Sequence, residues 1–291
     1  AEKVTVQVDR SDLYAIKPLD FVGLTPKMCA KPGDPMKVGT PIFYDKYRPT
    51  IQYVSPVAGV LKDIVRGERR RILEVIIESQ EEQVYEEYNS GNPAEMESDS
   101  IRQTLLKSGL WPSLVQRPYG IVADPEVEPD AIFISGFDSA PLGVDYDVIL
   151  KDQEDNVAAG VSALQKLTKG KVHLSLEDGF PICKAFAGLK GVEYHTFSGS
   201  HPAGLVGIQI HHIAPLNKGN IYWTISPQHL SLIGKLFLTG KMDTSIIVAV
   251  AGSKIAKPRY VKTFLGTSLT PVLKDQVLGE TDEVRVISGN V

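Results

Sequence analysis

Residues 131–136 read Ala-Ile-Phe-Ile-Ser-Gly, and this short apolar run ended by glycine decides the fold of the central part of the chain. It is typical of a buried β-strand. An amphipathic helix is predicted next at 156–167, then a strand at 171–175, a helix near 182–187 and a strand at 192–195. Strands that alternate with helices predict parallel pairing in an open α/β sheet.

Further elements extend this pattern on both sides. The spacing of residues 101–109 predicts a helix that stops at Gly109, and residues 227–237 predict a helix that begins after a proline and is interrupted by Gly234. Residues 246–250 are expected to form the last core strand. These assignments predict one α/β domain over residues 101–256.

A glycine-punctuated segment, residues 198–213 (SGSHPAGLVGIQIHHI), stands out within this domain. Its glycines and proline predict a shaped loop, and half of the six histidines lie within it. We expect residues 205–213 to continue as a strand, which would point His211 and His212 to opposite faces. The residues that define this loop are Gly199, His201, Pro202, Gly204, Gly207 and His211.

The N-terminal region has a different pattern, with short β runs broken by Pro-Gly signals. Residues 4–8 and 71–78 predict strands at its two ends. The spacing of the turns resembles the biotinyl/lipoyl hammerhead, which implies a small β-rich domain over residues 1–80. The carrier hairpin of that fold would correspond to residues 43–50, but Lys46 has neither carrier motif around it. We therefore expect the fold without the carrier chemistry.

Residues 81–100 hold seven acidic and no basic residues, and they include an Asn-Ser-Gly-Asn-Pro breaker. This composition is typical of a solvated connection. The segment is therefore predicted to be a linker between two folding units.

Composition excludes several classes of protein. An apolar content of 43% and a charged content of 23% indicate a globular chain, and a net charge of -4 argues against nucleic-acid binding. Cys29 and Cys183 form no Cys-x-x-Cys pair, so we expect them to be reduced and structural, with no iron-sulfur cluster or zinc. The longest apolar run, 246–252, is far shorter than the roughly 20 residues that cross a bilayer. A cytoplasmic chain without a transmembrane helix is predicted.

Several ordered motifs together resemble the NqrA family, the A subunits of the bacterial sodium-translocating NADH:quinone reductases. The clearest is His-Pro-Ala-Gly-Leu-x-Gly at 201–207, and the resemblance extends over nearly the whole chain. The other motifs lie at 21–28, 31–34, 55–59, 64–70, 108–111, 233–240, 248–252 and 265–268.

The resemblance implies a peripheral subunit on the cytoplasmic face of the bacterial inner membrane. In that family the complex couples NADH oxidation and quinone reduction to Na⁺ export. Its FAD, FMN and 2Fe-2S centres lie on other subunits, so this chain is expected to assist assembly and to contact ubiquinone or menaquinone without holding a redox cofactor. The implied partners are the other subunits, especially the membrane subunits, and no nucleic acid.

The resemblance also concerns the end of the chain. Residues 261–269 and 284–288 resemble the start of a β-grasp module of the soluble-ligand-binding (SLBB) type, which gives a third unit at 257–291. The family pattern begins earlier and ends later than this sequence, so we expect the sequence to be part of a longer protein. The predicted fold class is therefore a multidomain α+β and α/β protein with a hammerhead, a Rossmann-like sheet domain and a β-grasp start.

Two alternatives remain open. The first is a protein similar to the C subunit of Rnf-type electron-transport complexes, which resembles this family in its hammerhead and sheet parts. The second is a stand-alone NADH or flavin oxidoreductase. Against the second, the sequence contains no Gly-x-Gly-x-x-Gly motif, and Phe137 and Pro141 put bulk where a phosphate loop needs bare backbone.

Candidate site residues follow from context, because quinone sites are apolar clefts with few hydrogen-bond donors. The candidates for quinone contact are Phe21, Gly23, Met28 and Phe137, although core packing explains the aromatic rings equally well. His201 is either a polar tip at the mouth of the sheet or the start of a tight turn. No metal site and no catalytic residue are predicted, and Asp138 and Asp145 are expected to cap turns.

Overall fold

The computed structural model describes residues 2–279 and 284–289. It has four β-sheets, six α-helices and several single 3₁₀ turns within that part of the chain. The strands are β1 (Glu2–Gln7), β2 (Leu13–Ile16), β3 (Pro26–Met28), β4 (Pro35–Met36), β5 (Pro41–Asp45), β6 (Arg48–Val54), β7 (Gly59–Arg66), β8 (Ile72–Ser79), β9 (Val115–Arg117), β10 (Ile121–Val122), β11 (Ala131–Ser135), β12 (Lys171–Glu177), β13 (Val192–Phe197), β14 (Tyr222–Thr224), β15 (Ser245–Val250) and β16 (Arg259–Phe264). The helices are α1 (Ser98–Ser108), α2 (Tyr146–Ile149), α3 (Glu154–Gln165), α4 (Val206–Ile213), α5 (Pro227–Thr239) and α6 (Leu269–Leu273).

The N-terminal region folds into two small antiparallel sheets with strand orders β2-β8-β7-β4 and β3-β5-β6. Their inner faces bury Phe43, Ile51, Leu61 and Ile77 at 0% exposure. The alternation of apolar and polar residues in these strands explains why one face of each sheet is buried. The predicted β-rich unit is therefore present. The first strand is the exception, because β1 pairs with β16 at the far end of the chain.

The central sheet has the order β10-β9-β14-β11-β12-β13. Strands β14, β11, β12 and β13 are parallel, as the alternation of strands and helices predicts, and β9 and β10 add an antiparallel edge. Helices α3 and α5 cover one face, where Ile132 and Ile134 are buried, and α4 covers the other face at Phe133. The first helix ends at Gly109, as expected, in a left-handed conformation with φ 75°.

The expectation of a strand at 205–213 is wrong, because residues 206–213 form α4. Val206 and Ile210 lie one turn apart and pack with Phe133, so a helical spacing accounts for the apolar residues of this segment. His211 and His212 are consequently both exposed, and neither enters the core. A short apolar run does not by itself distinguish a strand from a buried helix.

Two further helix expectations are corrected. The predicted helix near 182–187 is a single 3₁₀ turn at Lys184–Phe186. Gly234 does not interrupt α5, because the helix continues through it to Thr239. A Cβ at this position would lie 1.7 Å from the carbonyl oxygen of Asn156 on α3, so the glycine allows the two helices to approach closely.

The C-terminal part forms a third unit with the strand order β1-β16-β15. Residues 246–250 form a strand, as expected, but this strand, β15, pairs with β16 and does not belong to the central sheet. Residues 284–288 form no strand, and residues 280–283 and 290–291 of the predicted β-grasp start lie outside the described residues.

The acidic segment between the first two units is mostly exposed but follows a defined path. The amide of Tyr88 donates to the carbonyl of Gly240 at 2.8 Å, and the amide of Gly91 donates to the carbonyl of Phe237 at 2.8 Å. The segment is therefore held against the end of α5 rather than serving as a free tether.

Candidate functional site

A cavity of about 680 Å³ lies where the three units meet. The N-terminal unit contributes Phe21 and Tyr53, the central sheet contributes Phe137 and Ile225, and the third unit contributes Leu265. Its volume lies within the range of about 300–1,000 Å³ that is usual for small-molecule sites. No single unit forms the cavity alone.

The position of the cavity follows from the order of the strands. Ser135 ends β11 and Thr224 ends β14, and both residues line the cavity. The chain proceeds from β11 to β12 on one side, whereas β14 is added on the other side of β11. Ligands of open α/β sheets bind in the crevice that such a reversal creates at the carboxyl ends of the strands.

Aromatic rings form one wall of the cavity. Phe21 meets Tyr53 edge to face with ring centroids 4.7 Å apart, and Tyr53 stacks on Phe43 at 4.9 Å. Burial raises the pKa of the Tyr53 phenol. Burial, followed by the nearby Asp138 carboxylate, raises the pKa of Tyr146 to about 12. Both phenols are therefore neutral near pH 7 and remain hydrogen-bond donors.

A half-buried imidazole supplies a second polar group. Burial lowers the pKa of His229, which lines the cavity, so the ring is neutral near pH 7. Its Nδ1 lies 2.7 Å from the hydroxyl oxygen of Ser226, and the same oxygen accepts a 3.3 Å hydrogen bond from the His229 amide. Ser226 thereby caps α5 and fixes the imidazole at the start of that helix.

The loop after β11 is held by a hydroxyl network. Ser135 Oγ lies 2.9 Å from the carbonyl oxygens of both Phe137 and Gly204. It also accepts a 2.8 Å hydrogen bond from Nε2 of Gln209, a fully buried side chain on α4. This network joins the strand end, the glycine loop and the helix that follows it.

The structure brings two of the four predicted quinone residues to the cavity. Phe21 and Phe137 line it from opposite units. Gly23 lies in an exposed turn with φ 79°, and Met28 lies in β3 opposite Phe43; neither lines the cavity. Quinone contact by any of the four stays a prediction.

Of the residues that define the glycine loop, only Gly204 lines the same cavity, and the next two residues of the segment, Leu205 and Val206, line it as well. A Cβ there would lie 2.4 Å from the amide nitrogen of Ser139, so the loop approaches the segment after β11 very closely. His201 lies in the turn that closes where the amide of Ala203 donates to the carbonyl of Ser200, and its Nδ1 lies 3.1 Å from Ser139 Oγ. The remaining residues of the predicted loop lie away from the cavity: Gly199, Gly207 and His211.

The polar residues of the cavity that the sequence did not predict as site residues include Tyr53, Tyr146, Ser226 and His229. Ser226 and His229 follow directly after a parallel strand, which is the signal that could have pointed to them. The two tyrosines carry no local signal, since they reach the cavity only through packing between units.

One group of side chains could hold a metal ion in the described part of the chain. Ligand atoms of His173, Glu193 and His195 all lie within 4.8 Å of one another on β12 and β13. The group is separate from the cavity, since none of the three residues lines it.

No helix in residues 2–279 or 284–289 combines the length and the hydropathy needed to cross a membrane.

Three family models match the chain. The model for the "NqrA N-terminal barrel-sandwich hybrid domain" matches residues 1–80, that for the "NqrA second alpha/beta domain" matches residues 96–242, and that for the "NQRA C-terminal domain" matches residues 247–291. Together they account for nearly the whole sequence and confirm the resemblance drawn from the motifs.

Curated relatives, each named as the A subunit of a Na(+)-translocating NADH-quinone reductase, align over 274 residues. The proteins from Neisseria meningitidis, Pseudomonas aeruginosa and a Marinomonas species are 35%, 36% and 38% identical. Each alignment covers 94% of this chain and 60% of the relative, so the chain spans about three fifths of their length. A solved structure of an NAD⁺-reducing [NiFe]-hydrogenase is 15% identical with a TM-score of 0.45, covering 65% of this chain and 41% of that one.

Proposed function

Because the chain belongs to the NqrA family, we propose that it acts as the NqrA subunit of a sodium-pumping NADH:quinone oxidoreductase complex. In this role it lies at the cytoplasmic face of the bacterial inner membrane and binds the other subunits, including the membrane subunits. The complex oxidises NADH, reduces ubiquinone or menaquinone and exports Na⁺. NADH, FAD, FMN and the 2Fe-2S centre act on the partner subunits.

The contribution proposed for this chain is assembly together with contact to the quinone. The single observation that carries the quinone contact is the cavity at the carboxyl ends of β11 and β14, with Phe21 and Phe137 in its walls. The Rossmann-like topology that we propose for the sheet bears on function only because it creates this crevice. The loop after β11 carries Phe137 and Pro141, which leave no bare backbone for a dinucleotide phosphate.

The chemistry of the cavity suits a flat amphipathic ring. Phe21, Tyr53 and Phe137 offer apolar surfaces against which the ring can stack. A quinone head group has carbonyl oxygens at opposite edges and needs hydrogen-bond donors there. The neutral phenol of Tyr146 and the neutral imidazole of His229 are the donors that we assign to it.

Tryptophan fluorescence tests the quinone contact. Trp111 and Trp223 are fully buried with ring centroids 5.4 Å apart, and their chain neighbours Leu110 and Thr224 line the cavity. A short-chain ubiquinone bound there should quench this emission in a saturable way. Phe137→Leu should weaken the apparent affinity about two- to tenfold, since an aromatic pair contributes about 0.5–1.5 kcal/mol beyond burial.

Phe180→Leu is the matched control, because Phe180 is 65% exposed and lies outside the cavity. It should leave the quenching curve unchanged. Absence of saturable quenching, or equal weakening by both substitutions, would exclude quinone contact at this cavity.

The role within the complex is tested separately. An affinity tag on the full-length protein should retrieve, from membranes of the source bacterium, a complex that oxidises NADH with quinone as acceptor. The unfolding temperature of the 291-residue chain should not shift with NADH or FMN. A ligand that did bind would stabilise the chain by about 2.7 kcal/mol at 100 times its dissociation constant, so its binding would be detected. A clear shift would favour a stand-alone NADH or flavin enzyme instead.

A further inference from the structure

Three side chains with metal-binding chemistry converge on the edge of the central sheet away from the cavity. His173 Nδ1 lies 2.9 Å from His195 Nε2 and 3.5 Å from Glu193 Oε2. In a tetrahedral zinc site with bonds of about 2.0–2.2 Å, neighbouring ligand atoms lie roughly 3.3–3.6 Å apart. Small shifts of the side chains would thus bring the observed spacing to that of a coordination shell.

The register of two parallel strands creates this cluster. His173 on β12 lies opposite Glu193 on β13, and Ser175 lies opposite His195. Residues two apart on a strand share a face, so Glu193 and His195 point to the same side as His173. The three ligands therefore rest on backbone that is hydrogen-bonded into the sheet rather than on a loop.

The surroundings of His173 hold its ring in one orientation. The residue is 7% exposed and stacks on Phe133 with ring centroids 4.6 Å apart. Its ring therefore cannot turn away from the two side chains on β13.

Lys171 leaves the inner oxygen of Glu193 free. Its ammonium group pairs with Oε1, whereas Oε2 faces His173. The carboxylate can therefore bind a metal through one oxygen while its other oxygen keeps the ion pair, an arrangement that orients the ligand. The side chain of Glu193 is 42% exposed, which gives an ion access from solvent.

We propose that His173, Glu193 and His195 form a binding site for a divalent transition-metal ion, with zinc as the ion that the ligand set fits best. Two imidazoles and one carboxylate supply three ligands, and the fourth position is open to water or to a group of another molecule. His173 Nδ1 and His195 Nε2 share one proton. When the ion binds, this proton moves to the other nitrogen of the ring that carries it, which leaves both facing nitrogens free to bind the metal. The ion joins β13, the last strand of the central sheet, to β12.

Zinc binding to the 291-residue chain, purified without a histidine tag, tests this site. Equilibrium dialysis with metal analysis should give one zinc ion per chain, and Co²⁺ should produce the visible spectrum of a low-coordinate nitrogen and oxygen site. His195→Gln and Glu193→Gln should each weaken zinc binding at least about tenfold. Loss of a side chain that only orients a metal ligand already weakens metal affinity about tenfold, and these two residues are ligands themselves.

His211→Ala is the matched control, because this exposed imidazole lies on α4 outside the cluster. It should bind zinc as the unsubstituted chain does. Thermal unfolding without metal should be nearly the same for all variants, which separates ligand loss from misfolding.

Any of three results would contradict the proposed zinc site. These are no stoichiometric zinc, unchanged affinity in His195→Gln, or an equal loss in His211→Ala. The contact between His173 and His195 would then be an ordinary hydrogen bond between two rings.

Discussion

The hydroxyl of Ser135 and the side-chain amide of Gln209 are joined by a 2.8 Å hydrogen bond between the end of β11 and α4. Nε2 of Gln209 also donates to the carbonyl of Ala203 at 3.2 Å. Gln209 is fully buried, so this amide fixes the glycine loop from within the protein. The cavity wall at Gly204 thus depends on a helix that the apolar pattern of residues 205–213 had suggested to be a strand.

Replacing Ser135 with alanine should lower the free energy of unfolding by about 1–3 kcal/mol. The substitution removes a partner from Gln209 and from the carbonyls of Phe137 and Gly204, and unsatisfied buried polar groups carry a cost of that size. Urea unfolding measures the change. Ser162→Ala is the control, because Ser162 bonds only to the Ala158 carbonyl of its own helix and should change stability by less than about 0.5 kcal/mol.

Gly234→Ala should destabilise the protein by about 1–3 kcal/mol, because the new methyl group would collide with the Asn156 carbonyl and push α5 away from α3. Gly207→Ala in α4 is the matched helical control, since no atom lies within 4 Å of its Cβ position. That change should be neutral or stabilise by up to about 1 kcal/mol. Equal thermal unfolding of the two variants would contradict the close packing of α3 on α5.

Stability should depend on pH through His229. Its folded-state pKa is lowered from the usual 6.5 by burial, so the unfolded chain binds the proton more readily. The contribution of the neutral His229 ring to the free energy of unfolding is complete above about pH 6.5 and is lost as the pH falls toward the folded-state pKa. We expect His229→Gln to show a shallower loss of unfolding free energy between about pH 7 and pH 5.

His173 has a lowered pKa as well, so part of the slope should remain in the His229→Gln variant. Titration of the imidazole protons by NMR separates the two groups. A pKa of 6.5 or higher for His229 would show that its ring is not held neutral by burial.

Gln228 should protect the edge of β15 from exchange with solvent. Its side chain accepts a 2.7 Å hydrogen bond from the Ile247 amide and donates one of 3.3 Å to the Ile247 carbonyl, in the way a neighbouring strand would. In Gln228→Ala, hydrogen exchange at Ile247 should become about two- to tenfold faster, as expected for the loss of one hydrogen bond. Peptides from β12 provide the internal reference and should exchange at an unchanged rate.

Much of the fold could be predicted from local pattern. The apolar run at 131–135 and the helix at 156–167 were recognisable because burial of a strand and of an amphipathic helix each leaves a period in the sequence. The stop at Gly109 was recognisable because a left-handed helix end favours glycine. The order and residues of the short sequence motifs were enough to indicate the family, which the family models confirm.

Other features depended on contacts between distant segments. Residues 205–213 were predicted as a strand but form a helix, and the strand predicted at 246–250 belongs to another sheet, because a short apolar run does not reveal which element packs against it. The pairing of β1 with β16 joins the two ends of the described chain, and no local pattern encodes it. Tyr53 and Tyr146 likewise reach one cavity only because separate units pack together.

The sequence by itself determined the family, the parallel pairing of the central strands and the helix end at Gly109, since each of these depends on residues that are neighbours in the sequence. Tertiary structure alone decided the cavity between the three units and the meeting of His173 with Glu193 and His195. Both arise from strand register and from packing between units, which bring together side chains far apart in the sequence.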